Sequence, residues 1–433
     1  MVYWRDHDDR ADLIAEVHAR PRPEIPAPAS VSRIDLFVTP EEGDLHFARL
    51  RARLADLGQP VPDDDARHHI YTEGPLQVAF ERHTEFVSYT VLDADPPEEP
   101  FKGDPLGKAP KEAFADMPGG RLSAVRLHIV KSKDGKLDEK LCKQVFGKSD
   151  FAASAIRGGA AGLAADFEPD GDGYMRFLAF DSTPADAVRG RMVQRILELE
   201  AYRMAAMLAL PVARKAGSAL TKLERALDET SDRIAAGPHA AKDRDILQRL
   251  TRLAGEAEQL RAKNDYRFAA ARAYGRIVEV RDQRLRADRI EGHERIGVFI
   301  ERRLQPALRT CEAVASRQQA VAERVDRAVR LLATRVQVDL EEQNKSVLDA
   351  MNRRAEAQLK LQETVEALSA VAITYYAVSL IYYLARGGEA AGLGIQPYIA
   401  AAIATPVVFF SALFGIRWVR SWLKARVEDP DDE

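Results

Sequence analysis

Glu81, His83 and Glu85 alternate within Leu76–Leu92, a stretch rich in Val, Phe, Thr and Tyr. On a regular strand alternate side chains share a face, so two carboxylates and an imidazole would stand together. That set suits a divalent metal, the one cofactor the sequence suggests. With His18 and His128 brought alongside, it would also suit a metal-dependent reaction. The plainer reading is a solvated sheet face carrying Glu–His and Glu–Arg pairs. His18 and Arg20 end a short amphipathic helix candidate, Ala11–Ala19, just before Pro21. Cationic side chains there meet the negative end of the helix dipole, and the pair is also a candidate for holding an anion. His68 and His69 read as exposed in a polar loop.

Other motifs exclude chemistries. Asp166-Phe-Glu168-Pro-Asp170-Gly171 mimics the opening of an EF-hand loop, but its twelfth position is Phe177 and Pro169 sits inside it, so calcium is rejected. Gly158, Gly159 and Gly162 fit no dinucleotide or phosphate-loop pattern, and no Gly-Lys-Ser/Thr, Gly-x-Ser-x-Gly, His-Glu-x-x-His or Cys-x-x-Cys occurs. Cys142 and Cys311 have no metal-ligand spacing and fit a reducing compartment. A net charge of −4 gives no global field for nucleic acid, which is not expected as a partner.

Around the Glu81 stretch the chain reads as an α+β domain over residues 1–183. Strands are expected at Ile34–Val38, within Leu76–Leu92, and at Ser123–Val130. The Glu81 stretch is too long for one average strand and calls for an internal bend or hairpin. A hairpin is expected over Leu163–Asp181, turning at Asp170–Gly173, and helices at Glu41–Leu57 and Leu137–Phe146. Strand signals stop after Pro184. Residues 184–305 read as a helical bundle, with Pro211 ending its first helix and Pro306 breaking or kinking its last. From Ala307 to Ala385 there is neither Pro nor Gly, and Val325, Val329, Leu332, Val336, Leu340, Val347, Met351, Ala355 and Leu359 form a seam at three-and-four spacing. Residues 306–366 therefore read as a coiled-coil-like stalk interrupted by Gln343 and Asn344.

Residues 367–426 read as a transmembrane hairpin. Its spans, 367–385 and 398–416, are free of charged residues and match the ~20 residues that cross a bilayer. Arg353, Arg354 and Lys360 precede the first span, and Arg417, Arg420, Lys424 and Arg426 follow the second, whereas the turn holds only Arg386. Basic residues stay inside, so both termini are expected in the cytoplasm and the protein in the inner membrane. The charged N-terminus, with no apolar run that would read as a signal peptide, points the same way. Ser369, Thr374 and Ser379 are candidate pore-lining residues if the spans assemble around a channel.

The chain resembles the bacterial DUF3422 family, membrane-associated proteins of unknown function. The stretches that carry the resemblance are Glu16–Pro21 (EVHARP), Glu81–Phe86 (ERHTEF), the Ala165–Phe177 hairpin, Val193–Pro211 and Leu361–Tyr376. The resemblance implies no activity, but it puts His18, Arg20, Glu81, His83 and Glu85 in recurring motifs. The topology is also similar to that of CorA-type magnesium channels, without their Gly-Met-Asn signature after the first span. The leading expectation is a membrane-anchored, non-enzymatic scaffold or sensor that forms homo-oligomers in the lipid bilayer. The alternatives are a CorA-like divalent cation channel or transporter and a metal-dependent enzyme using the His83 strand face.

Overall fold

The computed structural model describes residues 4–10, 13–14, 23–64, 66–109, 114, 116–147, 150–236, 240–391, 394 and 396–427. The chain divides into two units. One comprises Met1–Pro238 with Arg244–Val329, the other His239–Asp243 with Arg330–Glu433.

The first unit is built on a mixed sheet that has nine strands among the described residues, in the order β2-β3-β4-β1-β5-β8-β7-β6-β9. The strands are β1 (Ala29–Phe37), β2 (His68–Glu73), β3 (Leu76–Arg82), β4 (Phe86–Asp93), β5 (Gly120–Lys131), β6 (Ala152–Ile156), β7 (Ala161–Pro169), β8 (Met175–Asp181) and β9 (Ala287–Arg289). All neighbours are antiparallel except β5 and β8. The Glu81 stretch is a hairpin, β3 and β4, as its length required. The β7–β8 hairpin turns at Asp170, whose carboxylate accepts the amides of Asp172 and Tyr174 at 2.9 Å each. The acidic loop that imitates a calcium site instead holds Arg126, which donates to Asp170, Asp172 and Asp104 at 2.9, 3.0 and 3.1 Å.

One face of the sheet is covered by α1 (Pro40–Asp56) and α3 (Glu139–Phe146), with the single turn α2 (Pro105–Lys108) nearby. Thr39 and Glu42 cap α1 reciprocally, and Gly147 closes α3 in the left-handed region at φ 67°. Phe47, Leu50 and Leu54 of α1 pack on Val78, Phe80, Val87 and Tyr89, and Cys142 and Phe146 of α3 on Leu178 and Phe180. The other face carries α4 (Asp186–Met207), whose Ala201 and Ala205 meet Phe86 and Leu122. α4 buries residues on nearly every side, from Met192 to Ala206, because helices cover its back as the sheet covers its front. Arg189, 5% exposed, fixes its start by donating to Asp181 at 2.5 Å and to the Ile25 carbonyl at 2.6 Å.

Behind α4 stand α5 (Ala209–Ala235), α6 (Ala240–Leu285) and the opening of α7 (Ile296–Ala390). Leu220, Leu223, Leu250, Leu253, Val314 and Val321 are buried in this bundle. Gly275 lets α6 and α7 approach, since a Cβ there would stand 2.6 Å from Leu308 Cδ1. Two prolines of this bundle lie within helices. Pro211 lies in the first turn of α5, where its missing N–H costs nothing, and Pro306 lies inside α7 without ending it. The break comes earlier, where α6 stops at Leu285 and the chain inserts β9.

In the second unit the later part of α7 leads to α8 (Pro397–Val427). Among the described residues two helices are long and apolar enough to cross a membrane: α7, and Pro397–Val419 within α8.

Candidate functional site

Arg33 organises the site. Its strand alternates outward and inward side chains, so Arg33 and Asp35 face α4 together. The register carries Asp35 to Ser88 on β4 and Ser88 to Glu81 on β3, so the four side chains form one row across three strands. Arg33 Nε donates to Asp35, Nη1 to Glu81 and Nη2 to Ser88, each at 2.8 Å, and the Ser88 hydroxyl donates to Asp35 at 2.5 Å. Arg33 is 2% exposed. Burial alone would raise the Glu81 carboxyl, but Arg33, with His83 and His68 beside it, holds it far below the usual carboxylate range. Burial would likewise lower the Arg33 guanidinium, and Asp35 and Glu81 raise it instead.

His83 follows β3 directly. Its Nε2 lies 3.7 Å from Glu81 and its Nδ1 3.4 Å from the Tyr202 hydroxyl of α4. The ring stacks on Phe86 at 4.1 Å between centroids. Glu85, in the turn, leaves this group. It accepts from Tyr274 at 2.9 Å and from both Arg267 Nη atoms, all on α6. Burial raises the Tyr274 hydroxyl, and its bond to Glu85 adds to that. The expectation of one shared face for Glu81, His83 and Glu85 is corrected here. The strand ends at Arg82, so Glu81 and His83 stay together and Glu85 turns to the helices. His68 is also corrected: it opens β2 opposite Glu81, 3.9 Å from its carboxylate, and is not an exposed loop residue.

A cavity of about 50 Å³ lies between this row and α4, lined by Arg33, Ala79, Glu81, Thr90, Val193 and Leu197, among others. It has room for a few waters at most. His128 is elsewhere. It pairs with Ser30, an odd three residues from Arg33, and so lies on the opposite face against Phe101. His18 and Arg20 fall outside the described residues. Among the described residues no group of three or more His, Cys, Asp or Glu side chains is placed to hold a metal. Chemically the row is a charge-paired clamp between strands. Glu81 already has a buried cation, so it is poorly suited to take a proton or a metal. Burial raises the Cys142 thiol to about 12, which removes it as a nucleophile.

In the second unit Thr374 and Ser379 line a groove of about 350 Å³ with Tyr382, Ala401 and Thr405, between α7 and α8. The Thr374 hydroxyl donates to the Ala370 carbonyl at 2.7 Å and that of Ser369 to Val365 at 2.8 Å. Ser369 does not line this groove.

Sequence reasoning missed Arg33, Asp35 and Ser88. The available signal was alternating Arg33 and Asp35 in an otherwise uncharged segment, a pattern that a buried strand tolerates only when the charges are paired.

No curated protein and no solved structure matches the chain. The profile of a family described as "Protein of unknown function (DUF3422)" matches residues 5–423, nearly the whole length. The chain belongs to the DUF3422 family.

Proposed function

We propose that the protein is anchored in the inner membrane by the α7–α8 hairpin, with both termini in the cytoplasm. In this reading it is a non-enzymatic scaffold or sensor that self-associates through α7. Side-chain exposure carries the membrane part. Leu368, Tyr376, Leu380 and Leu384 on α7, and Ile403, Val407, Phe410 and Phe414 on α8, are each more than 60% exposed. A core helix would hide such side chains, and continuous apolar surface of this extent is what hydrocarbon covers. The basic residues outside the two spans support the orientation. Self-association is supported by the seam: Val325 and Leu332 are buried, whereas Leu340, Val347, Met351 and Leu359 are about half exposed. The Arg33–Glu81 clamp supports a non-catalytic reading of the Glu81–Glu85 motif.

The test is alkaline carbonate extraction of membranes from cells making the full chain. Retention in the pellet is expected; release into the supernatant would sink the anchor. Orientation is read with Gly388→Cys and a membrane-impermeant maleimide, which should label intact spheroplasts. Labelling only after lysis would reverse the topology.

A further inference from the structure

The first unit carries a second concentration of charge, away from the Glu81 row. Arg191 and Arg195 lie one turn apart on α4. Arg195 Nη1 donates to the Arg284 carbonyl at the end of α6, at 2.8 Å. Arg157 follows β6 directly and donates its amide to the Arg286 carbonyl at 3.1 Å, beside the start of β9. Five arginines, Arg157, Arg191, Arg195, Arg281 and Arg284, thus converge from a helix, a β-turn and a second helix. Burial lowers the Arg195 guanidinium, and the other four push it further in the same direction.

The charge is not balanced locally. Arg281 pairs with Glu198. Among the described residues no carboxylate stands within ion-pair distance of Arg157, Arg191, Arg195 or Arg284. Elsewhere in the bundle arginines are matched, as Arg317 is to Glu224 and Arg324 to Asp228, each at 2.6 Å. The space beside the cluster is open: a Cβ on Gly158 or Gly159, directly after Arg157, would meet nothing within 4 Å. Arg157 itself is held at φ 57° and Arg286 at φ 50°, in the left-handed region that side chains rarely adopt. All five are arginine rather than lysine, the side chain whose planar fork grips phosphate oxygens in pairs.

We propose that this arginine cluster is a binding site for a ligand bearing two or more linked phosphates, held by Arg157, Arg191, Arg195 and Arg284. Arg195 sits at its centre and the exposed Arg157 and Arg284 close on the outer phosphates. The site stands independently of the membrane reading, since every residue of it belongs to the first unit. The linked phosphates belong to a free anion or to a phosphorylated lipid headgroup, which the same guanidinium chemistry would recognise.

The experiment uses the full-length protein in nanodiscs of zwitterionic lipid, with sodium tripolyphosphate as probe and calorimetric titration as readout. Saturable binding is expected, tighter than pyrophosphate and far tighter than sulfate, and weakening steeply with salt. Arg195→Gln should weaken it about tenfold or more, as losing a charge-assisted pair does. Arg157→Asn, which tolerates the left-handed turn, should weaken it about threefold or more without disturbing the fold. Arg249→Gln, in the bundle, should leave it unchanged. In nanodiscs containing a polyphosphorylated inositol lipid, weaker tripolyphosphate binding at constant ionic strength marks a headgroup as the occupant, and unchanged binding marks a free anion. No saturable binding at millimolar probe, or wild-type affinity in both cluster variants, overturns the proposal. So does tight duplex DNA binding that tripolyphosphate does not displace.

Discussion

Arg33 and Glu81 meet at 2.8 Å across an intervening strand: Arg33 is on β1, Glu81 on β3, and β4 runs between them. The guanidinium collects Ser88 on its way, so one side chain ties three strands on the face that receives α4. Removing one partner of a buried pair is costlier than the pair is worth, because the other is left charged in a poor solvent. Glu81→Gln should cost about 2–3 kcal/mol, with Asp35 keeping part of the hold. Arg33→Met, which strands two carboxylates, should cost about 3–5 kcal/mol. Urea unfolding of the detergent-purified chain measures both, and midpoints equal to wild type would show the clamp to be idle. Because the folded Glu81 carboxyl is depressed, its contribution is present above the ordinary carboxylate range, near pH 4.3, and is lost as pH falls below it. Arg33→Met should lack that acid loss.

His128 gives a second pH dependence with a different window. Burial lowers its imidazole to about 4. The unfolded chain, titrating near pH 6.5, therefore binds the extra proton first. Stability should be complete above about pH 6.5 and fall as pH drops toward 4. His128→Gln, neutral throughout, should flatten the urea midpoint over that interval. An unchanged slope would mean that His128 does not titrate differently in the two states.

Gly190 and Gly217 make a contrasting pair, both inside helices. A Cβ at Gly190 would stand 1.7 Å from the Pro23 carbonyl oxygen, whereas one at Gly217 would meet Val314 Cγ2 at an ordinary 3.8 Å. Gly190→Ala should displace the segment before β1 and cost about 1–3 kcal/mol. Gly217→Ala should stabilise by about 0.5–1 kcal/mol through helix propensity. Thermal melts of the two variants should move in opposite directions.

Self-association through α7 predicts that Val347→Glu with Met351→Glu lowers the mass of the detergent-solubilised protein. Light scattering coupled to size exclusion reads it. A wild-type mass already equal to one chain, or a variant mass unchanged from a larger wild type, counts against the seam.

Period and punctuation made the β3–β4 and β7–β8 hairpins, α1, α3 and the two apolar spans legible from sequence, whereas α6 runs unbroken to Leu285, past the boundary expected near Lys263. The acidic turn at Asp170 and the charge-free runs on either side of Arg386 are local signals. The site was half legible. Glu81 and His83 were visible as chemistry-bearing residues, but their partner Arg33 lies far along the chain, and only strand order brings them together. Glu85 was misplaced because alternation assumes that the strand continues, and it stops at Arg82. β9 escaped notice for a related reason. Three residues carry no period of their own, and their strand state comes from β6.

That short strand has a consequence for how copies of the chain avoid one another. An open sheet ends in unsatisfied amides and carbonyls that can template pairing with a second molecule. Here β6 is not left as an edge. Ser154, Ala155 and Ile156 pair with Arg289, Asp288 and Ala287, and the outermost strand is only three residues long. Arg286, Asp288 and Arg289, all exposed, line that rim with charge. At this edge the sheet therefore offers little length and much desolvation penalty to an incoming strand. Deleting β9 would bare the apolar edge of β6 and turn a self-limiting fold into one prone to add strands from its neighbours.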